Sequence, residues 1–281
     1  MKFNIMKENP MENLEGICSR IGLQEEVREK ISEIEQKSEL SWAEKEIPAL
    51  TEEKNWKKAR EELKKNLGED PNGMKMLFCM LKAAVISWEK YQKKGIEPEI
   101  FDETMKCFSR FVGEHRISYG SYGFDRDFWT GRQLSLQLFR IGELEYEKVE
   151  DEKEGRYISI HIPSDADMKE ENLRKSLQEA GEFFQKYYPG WSRLPYKCCS
   201  WLLSPVLKGL LGEGSRILAF QDMFQIEEVY QDSDAFLEWV FKRKDIPLEK
   251  LPENTSLQRN IKAHLLSGGW VGEGMGRLIE I

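Results

Sequence analysis

No apolar run in this 281-residue chain approaches the ~20 residues needed to span a bilayer, and the first residues lack the apolar core of a signal peptide. A cytoplasmic chain with no membrane partner is the expectation. Histidine is scarce, with only His115, His161 and His264, and neither CxxC nor HExxH spacing occurs, so no metal site is expected. The five cysteines, Cys18, Cys79, Cys107, Cys198 and Cys199, are odd in number and scattered, which suits reduced thiols rather than a disulfide framework. No basic block offsets the acids: 42 Lys and Arg stand against 50 Asp and Glu, for a net charge of −8. That balance argues against nucleic acid or an anionic membrane as partner. A GxSxG elbow is missing too, which disfavours a serine hydrolase.

What is present describes a globular chain long enough for two domains, with 40% hydrophobic and 33% charged residues. The first 118 residues carry helical periodicity. Leu23, Val27, Ile31 and Ile34 share one stripe, Trp56, Ala59, Leu63 and Leu67 a second, and Phe101, Met105, Phe108 and Val112 another. Met74 to Tyr91 is apolar almost all round, which predicts a helix buried among the others. Beyond the aromatic and glycine-rich stretch at 118–126, which reads as a linker or a lip over a cleft, the period changes to two. Leu134, Leu136 and Leu138 alternate with polar residues, and Glu143, Glu145 and Glu147 alternate with Leu144 and Tyr146. Ile158, Ile160 and Ile162 then share one face. Short turns between these segments predict an antiparallel meander. A helix with Leu173, Leu177, Ala180 and Phe184 follows, then a buried strand over 198–203 parallel to its predecessor. A short helix at 206–211, strands at 217–220 and 226–230, two helices and a closing strand over 276–281 complete the expectation. The class is α+β, with a helical domain over 1–118 and a mixed-sheet domain over 119–281.

This order of elements, together with the stretches FWTGRQLSLQLFRIGELEYE (128–147), YISIHIP (157–163), CCSWLLSP (198–205) and TSLQRNIKAHLLSGG (255–269), resembles a family of acyltransferase-domain proteins. Its members pair a helical N-acyltransferase N-terminal domain with a GNAT-like C-terminal domain. The resemblance implies a splayed pair of parallel strands holding an acyl donor, acyl-CoA in members of that fold, with the pyrophosphate resting on N–H groups at the next helix start. It further implies transfer to a small-molecule or peptide amine, or a hydroxyl, by direct attack. Acyl-CoA would be a co-substrate.

On the residues themselves, His161 is the candidate base. It shares a strand face with Tyr157 and Ser159, and its chemistry suits removing a proton from an amine or hydroxyl. Glu145 on the neighbouring strand is the candidate second carboxylate or ring-orienting group. Ser164, Lys169, Arg174 and Ser200 are the candidate donor contacts, and Trp129, Arg132 and Ser159 the candidate substrate contacts. The crossing at 164–171 has no glycine and four acids, and Asp167 followed by Glu170 is close to a capping box, which would satisfy the helix donors internally. A non-catalytic binding relative, its phosphate loop filled by acids, is therefore the alternative reading. Cys199 within an apolar strand reads as core packing. The glycine run 268–276 follows a helix rather than a strand, so it reads as a helix cap and turn rather than a phosphate loop.

Overall fold

A computed structural model describes residues 13–279, and the chain divides into two compact units, 1–139 and 140–281. The first unit is helical, as its periodicity predicts. It comprises α1 (Leu14–Arg20), α2 (Glu25–Lys37), α3 (Trp56–Asn66), α4 (Met74–Lys94), α5 (Pro98–Met105), α6 (Cys107–Tyr119) and α7 (Asp127–Leu134). Helix α4 is the axis of this unit. Its first turns are buried on every side, Met76 to Leu81 without a break, and Ala84, Trp88 and Tyr91 continue one buried face, because other helices pack around it.

The second unit is built on one six-stranded sheet in the order β1-β2-β3-β4-β6-β5. Strands β1 (Leu138–Ile141), β2 (Leu144–Asp151) and β3 (Gly155–His161) follow one another across short turns, and β2 pairs antiparallel with β3. Helix α8 (Glu170–Tyr187) then crosses the sheet, so β4 (Tyr196–Ser200) returns parallel to β3. Helix α9 (Arg216–Gln221), β5 (Phe224–Tyr230), α10 (Ala235–Phe241), α11 (Ser256–Leu266) and β6 (Glu273–Leu278) complete the unit. The expected α+β class holds, and so does the mixed sheet with its meander.

Several local expectations are corrected. Leu134 ends helix α7 and Leu136 has a positive φ of 58°, so the leucine alternation there is a helix end. The N–H of Gln137 donates to the carbonyl of Arg132 and that of Leu136 to Gln133, the paired bonds that close a helix through a left-handed residue. Residues 217–220 belong to α9, since four apolar residues carry too little periodicity to tell strand from helix. The strand expected at 198–203 begins earlier and stops at Ser200, whose hydroxyl accepts from the N–H of Leu202 and opens a 3-10 turn. The short helix expected at 206–211 is a 3-10 turn over Pro205–Gly209. The closing strand starts at Glu273 rather than Gly276, and residues 280 and 281 lie outside the described residues.

The glycines of that last segment have a packing reason. A Cβ on Gly274 would meet the carbonyl oxygen of Leu203 at 2.5 Å, and one on Gly276 would press on Phe224 and Leu203 at 3.0–3.1 Å. Strand β6 lies between β4 and β5 with the Leu203 turn against it, and only glycine leaves room. Gly274→Ala is expected to cost about 1–3 kcal/mol of stability by overpacking against backbone that cannot rotate away. Urea denaturation measures this; an unchanged midpoint would mean that the Leu203 turn yields freely.

Candidate active site

Strands β3 and β4 pair over two positions only, Ile158 with Tyr196 and Ser159 with Lys197. Beyond these, each strand is held from its outer side. Ile160 and His161 pair with Tyr146 and Glu145 of β2, while Cys198, Cys199 and Ser200 pair with Gly276, Met275 and Gly274 of β6. The two strands therefore part within the sheet, and His161 ends β3 at the opening.

Side-chain alternation and register divide the sheet into two faces. Tyr146, Ile158, Ile160, Tyr196 and Cys198 share the face toward α8, where the Tyr146 hydroxyl lies 2.8 Å from Ser176 Oγ. Glu145, Glu147, Ser159, His161, Lys197 and Cys199 share the other. Of the expected residues, the fold thus brings Glu145, Ser159 and His161 together. Glu145 is buried at 2% exposure and stands directly opposite His161 in the ladder. The His161 Nε2 contact, however, is to Glu147 Oε2 at 2.8 Å. Sequence reading lists Glu147 only as part of the alternation; which carboxylate meets the ring depends on register.

Cys199 is exposed rather than packed in the core, while Cys198 is buried. Desolvation, followed by the nearby Glu273, Glu154 and Glu228 carboxylates, pushes the Cys199 thiol up to about 12. Lys197 bridges Glu154 at 2.8 Å and Glu227 at 3.3 Å, so this face is dominated by acids.

The donor candidates are arranged differently. Lys169, Arg174 and Arg216 line a cavity of about 890 Å³ between the first turn of α8 and the start of α9, together with the carboxylates of Glu170, Glu171, Glu213 and Asp222. Arg216 is a cation that sequence reading assigned to no site, because the segment beginning at 217 read as a strand. The capping box expected at Asp167 and Glu170 does not form. The N-cap of α8 is Lys169, whose side chain makes no cap bond, and Asp167 Oδ1 accepts from the Lys169 N–H at 3.3 Å. Asp167 also lies 3.3 Å from the Lys169 ammonium and 3.2 Å from Arg216 Nη1, and Glu170 lies 2.8 Å from Arg174 Nε. Desolvation raises the Asp167 pKa, but hydrogen bonds from Lys169 and the Lys169 and Arg216 charges outweigh it and hold the group below its ordinary value. A helix start without a side-chain cap, with Lys169, Arg174 and Arg216 beside it, has groups that can hold phosphates, opposed by the carboxylates of Glu170, Glu171, Glu213 and Asp222 in the same lining.

Ser164 lies in the connection from β3 to α8, and Ser200 on the α8 side of β4, its hydroxyl engaged with Leu202. Trp129 and Arg132 belong to α7 of the first unit, where the Arg132 guanidinium stacks 4.3 Å over the Trp129 ring and donates to the Phe128 carbonyl. Among the described residues no group of three or more His, Cys, Asp or Glu could hold a metal ion, and no helix is long and apolar enough to cross a membrane.

Residues 138–278 match the family model of the GNAT-like C-terminal domain, and residues 12–136 that of the N-acyltransferase N-terminal domain. Among solved structures, an acyltransferase in complex with decanoyl-CoA and teicoplanin superposes with a TM-score of 0.80 at 22% identity, over 95% of this chain and 87% of that one. A mutant acyltransferase in complex with octanoyl-CoA gives 0.79 at 22% identity, over 93% of this chain and 86% of that one. An acyltransferase in complex with CoA and 10C-teicoplanin gives 0.79 at 21%, over the same shares. At these identities the likeness is one of fold. No curated protein matches the chain.

The acidic face predicts sluggish thiol chemistry. At pH 8, iodoacetamide should modify Cys199 at least about tenfold more slowly than a free cysteine peptide despite its exposure, because the thiolate is the reacting form. Glu273→Gln should speed the reaction. Peptide mass spectrometry reads both, and modification at the free-thiol rate would contradict the assigned acidic surroundings.

Proposed function

This chain belongs to the family that joins an N-acyltransferase N-terminal domain to a GNAT-like C-terminal domain, and we propose that it transfers an acyl group from an acyl-CoA to an amine or hydroxyl acceptor by direct attack. The observation that carries the reading is the parting of β3 from β4 with His161 at the opening, in the same unit as a cavity at the start of α8 that holds Lys169, Arg174 and Arg216.

The cavity residues fit the phosphate end of CoA. The uncapped first turn of α8 offers N–H donors and the positive end of a helix dipole, and Lys169, Arg174 and Arg216 supply positive charge. The acyl thioester then belongs in the gap between the strands. There the acceptor nitrogen or oxygen attacks the thioester carbonyl carbon, the C–S bond breaks and CoA leaves as the thiol. His161 takes the proton that the acceptor loses, and the Glu147 carboxylate lies beside the imidazolium so formed. Glu145, buried opposite His161, places a second carboxyl group on the same face. Ser159 on the same face is the proposed substrate contact within this unit. Ser164 and Ser200 are the proposed polar neighbours of the donor. Solved relatives of this fold hold decanoyl- and octanoyl-CoA, which directs the first donors tested toward medium chains.

One observation favours a second reading, a binding protein without catalysis. Asp167 engages both Lys169 and Arg216, and Glu170 engages Arg174, so each cation of the cavity already has a carboxylate. The two readings separate by experiment. A thermal-shift titration with acetyl-, octanoyl-, decanoyl- and free CoA should stabilise the protein by ~2.7 kcal/mol at 100 times the dissociation constant. Arg216→Ala should weaken that shift. In an assay of CoA thiol release with a panel of amines, His161→Ala should lose roughly 10²–10⁴-fold in rate. No shift with any CoA derivative at millimolar concentration would sink the acyl-CoA reading. A clear shift with no transfer to any acceptor would favour the binding protein.

A further inference from the structure

The carboxylate in contact with His161 is not its ladder partner. Glu145 is opposite His161, and Glu147 is opposite Ser159, yet the ring reaches diagonally to Glu147, with Nε2 2.8 Å from Oε2. Diagonal neighbours across an antiparallel pair are within reach of long side chains, so the contact needs no distortion of the strands. Resting on the reading of His161 as the base, we propose that Glu147 is the positioning residue of the acyl-transfer centre, fixing the orientation and the tautomer of the His161 ring.

Three features carry this. His161 is the last residue of β3 and lies two positions beyond the last β3–β4 pair, so on that flank no strand is paired to it. The side-chain partner that the ring has there is Glu147, across on β2. Strand β2 is a firm platform for one, since it pairs with β3 without interruption from Glu145–His161 to Asp151–Gly155. The contact is also sheltered: the two side chains are 22% and 15% exposed, so water competes weakly for it. A carboxylate only accepts, so the neutral ring must carry its N–H at Nε2 to make the bond, and the tautomer follows. When the ring takes up a proton, the new positive charge forms beside a carboxylate already in place. This is the role of the carboxylate in a Ser-His-Asp triad, here served from the next strand.

Labelling with ¹⁵N-histidine tests the contact directly, since the chain has only three histidines to resolve. The wild-type protein should show a downfield, slowly exchanging His161 Nε2–H that Glu147→Ala loses. In the transfer assay Glu147→Ala should lower kcat about 10–100-fold with KM for acyl-CoA held within about twofold. That is less than the ~10⁴ of a fully buried triad carboxylate, because Glu147 keeps some contact with water. Glu147→Gln, which retains an acceptor oxygen without the charge, should fall between, and it serves if the alanine variant does not fold. Glu228→Gln, a carboxylate elsewhere on the sheet, should leave both readouts unchanged. Survival of the N–H signal in Glu147→Ala overturns the proposal. So does a Glu147→Ala kcat within about twofold of wild type while His161→Ala is inactive. A His161→Ala protein as active as wild type instead removes the base itself, and with it both this proposal and the function it rests on.

Discussion

Two hydrogen-bonded positions between β3 and β4 are all that join the halves of the sheet, and the rest of the second unit is arranged around that brevity. Each strand has a better partner on its outer side. β2 holds β3 to its last residue, and β6 holds β4 through Ser200. Two parallel strands so anchored separate without leaving their backbone groups unpaired over a long stretch, which would be costly in a buried sheet. The glycines of β6 are part of the same arrangement, because they let that strand pass close to the Leu203 turn that terminates β4.

The opening divides two electrostatic environments within one unit. At the start of α8, three cations and four carboxylates line a cavity, and Asp167 engages Lys169 and Arg216 beside it while also accepting from the Lys169 N–H. On the sheet face bearing His161, carboxylates dominate: they hold Lys197 between them, add to the desolvation that raises the Cys199 thiol, and meet the imidazole. The cations of this unit gather at the start of α8, each with a carboxylate beside it, whereas the His161 face is mostly acidic.

The architecture was largely legible. Helical stripes such as Leu23, Val27 and Ile31 and the isoleucine alternation of β3 each bury one side of an element, so hydrophobicity repeats with the element's own period. Errors fell where that period had too few residues to register. Leu134, Leu136 and Leu138 alternate across a helix end, and residues 217–220 are four apolar residues that serve equally as a strand or a helical turn. The carboxylates at 165–171 misled in another way. Their spacing suits a capping box, but Lys169 and Arg216 lie close enough in space to claim Asp167, and Arg216 is 49 residues further along the chain.

By itself the sequence determined the helical first half, the meander, the parallel return after α8, and the candidacy of His161, because each rests on local periodicity or on the scarcity of a residue type. The tertiary structure alone decided which carboxylate meets His161, which cations share the α8 cavity, and that Cys199 faces outward with its acids. Those relations depend on strand register and on contacts between distant segments. A shift of one residue in register would exchange the two faces of a strand while leaving every local pattern unchanged.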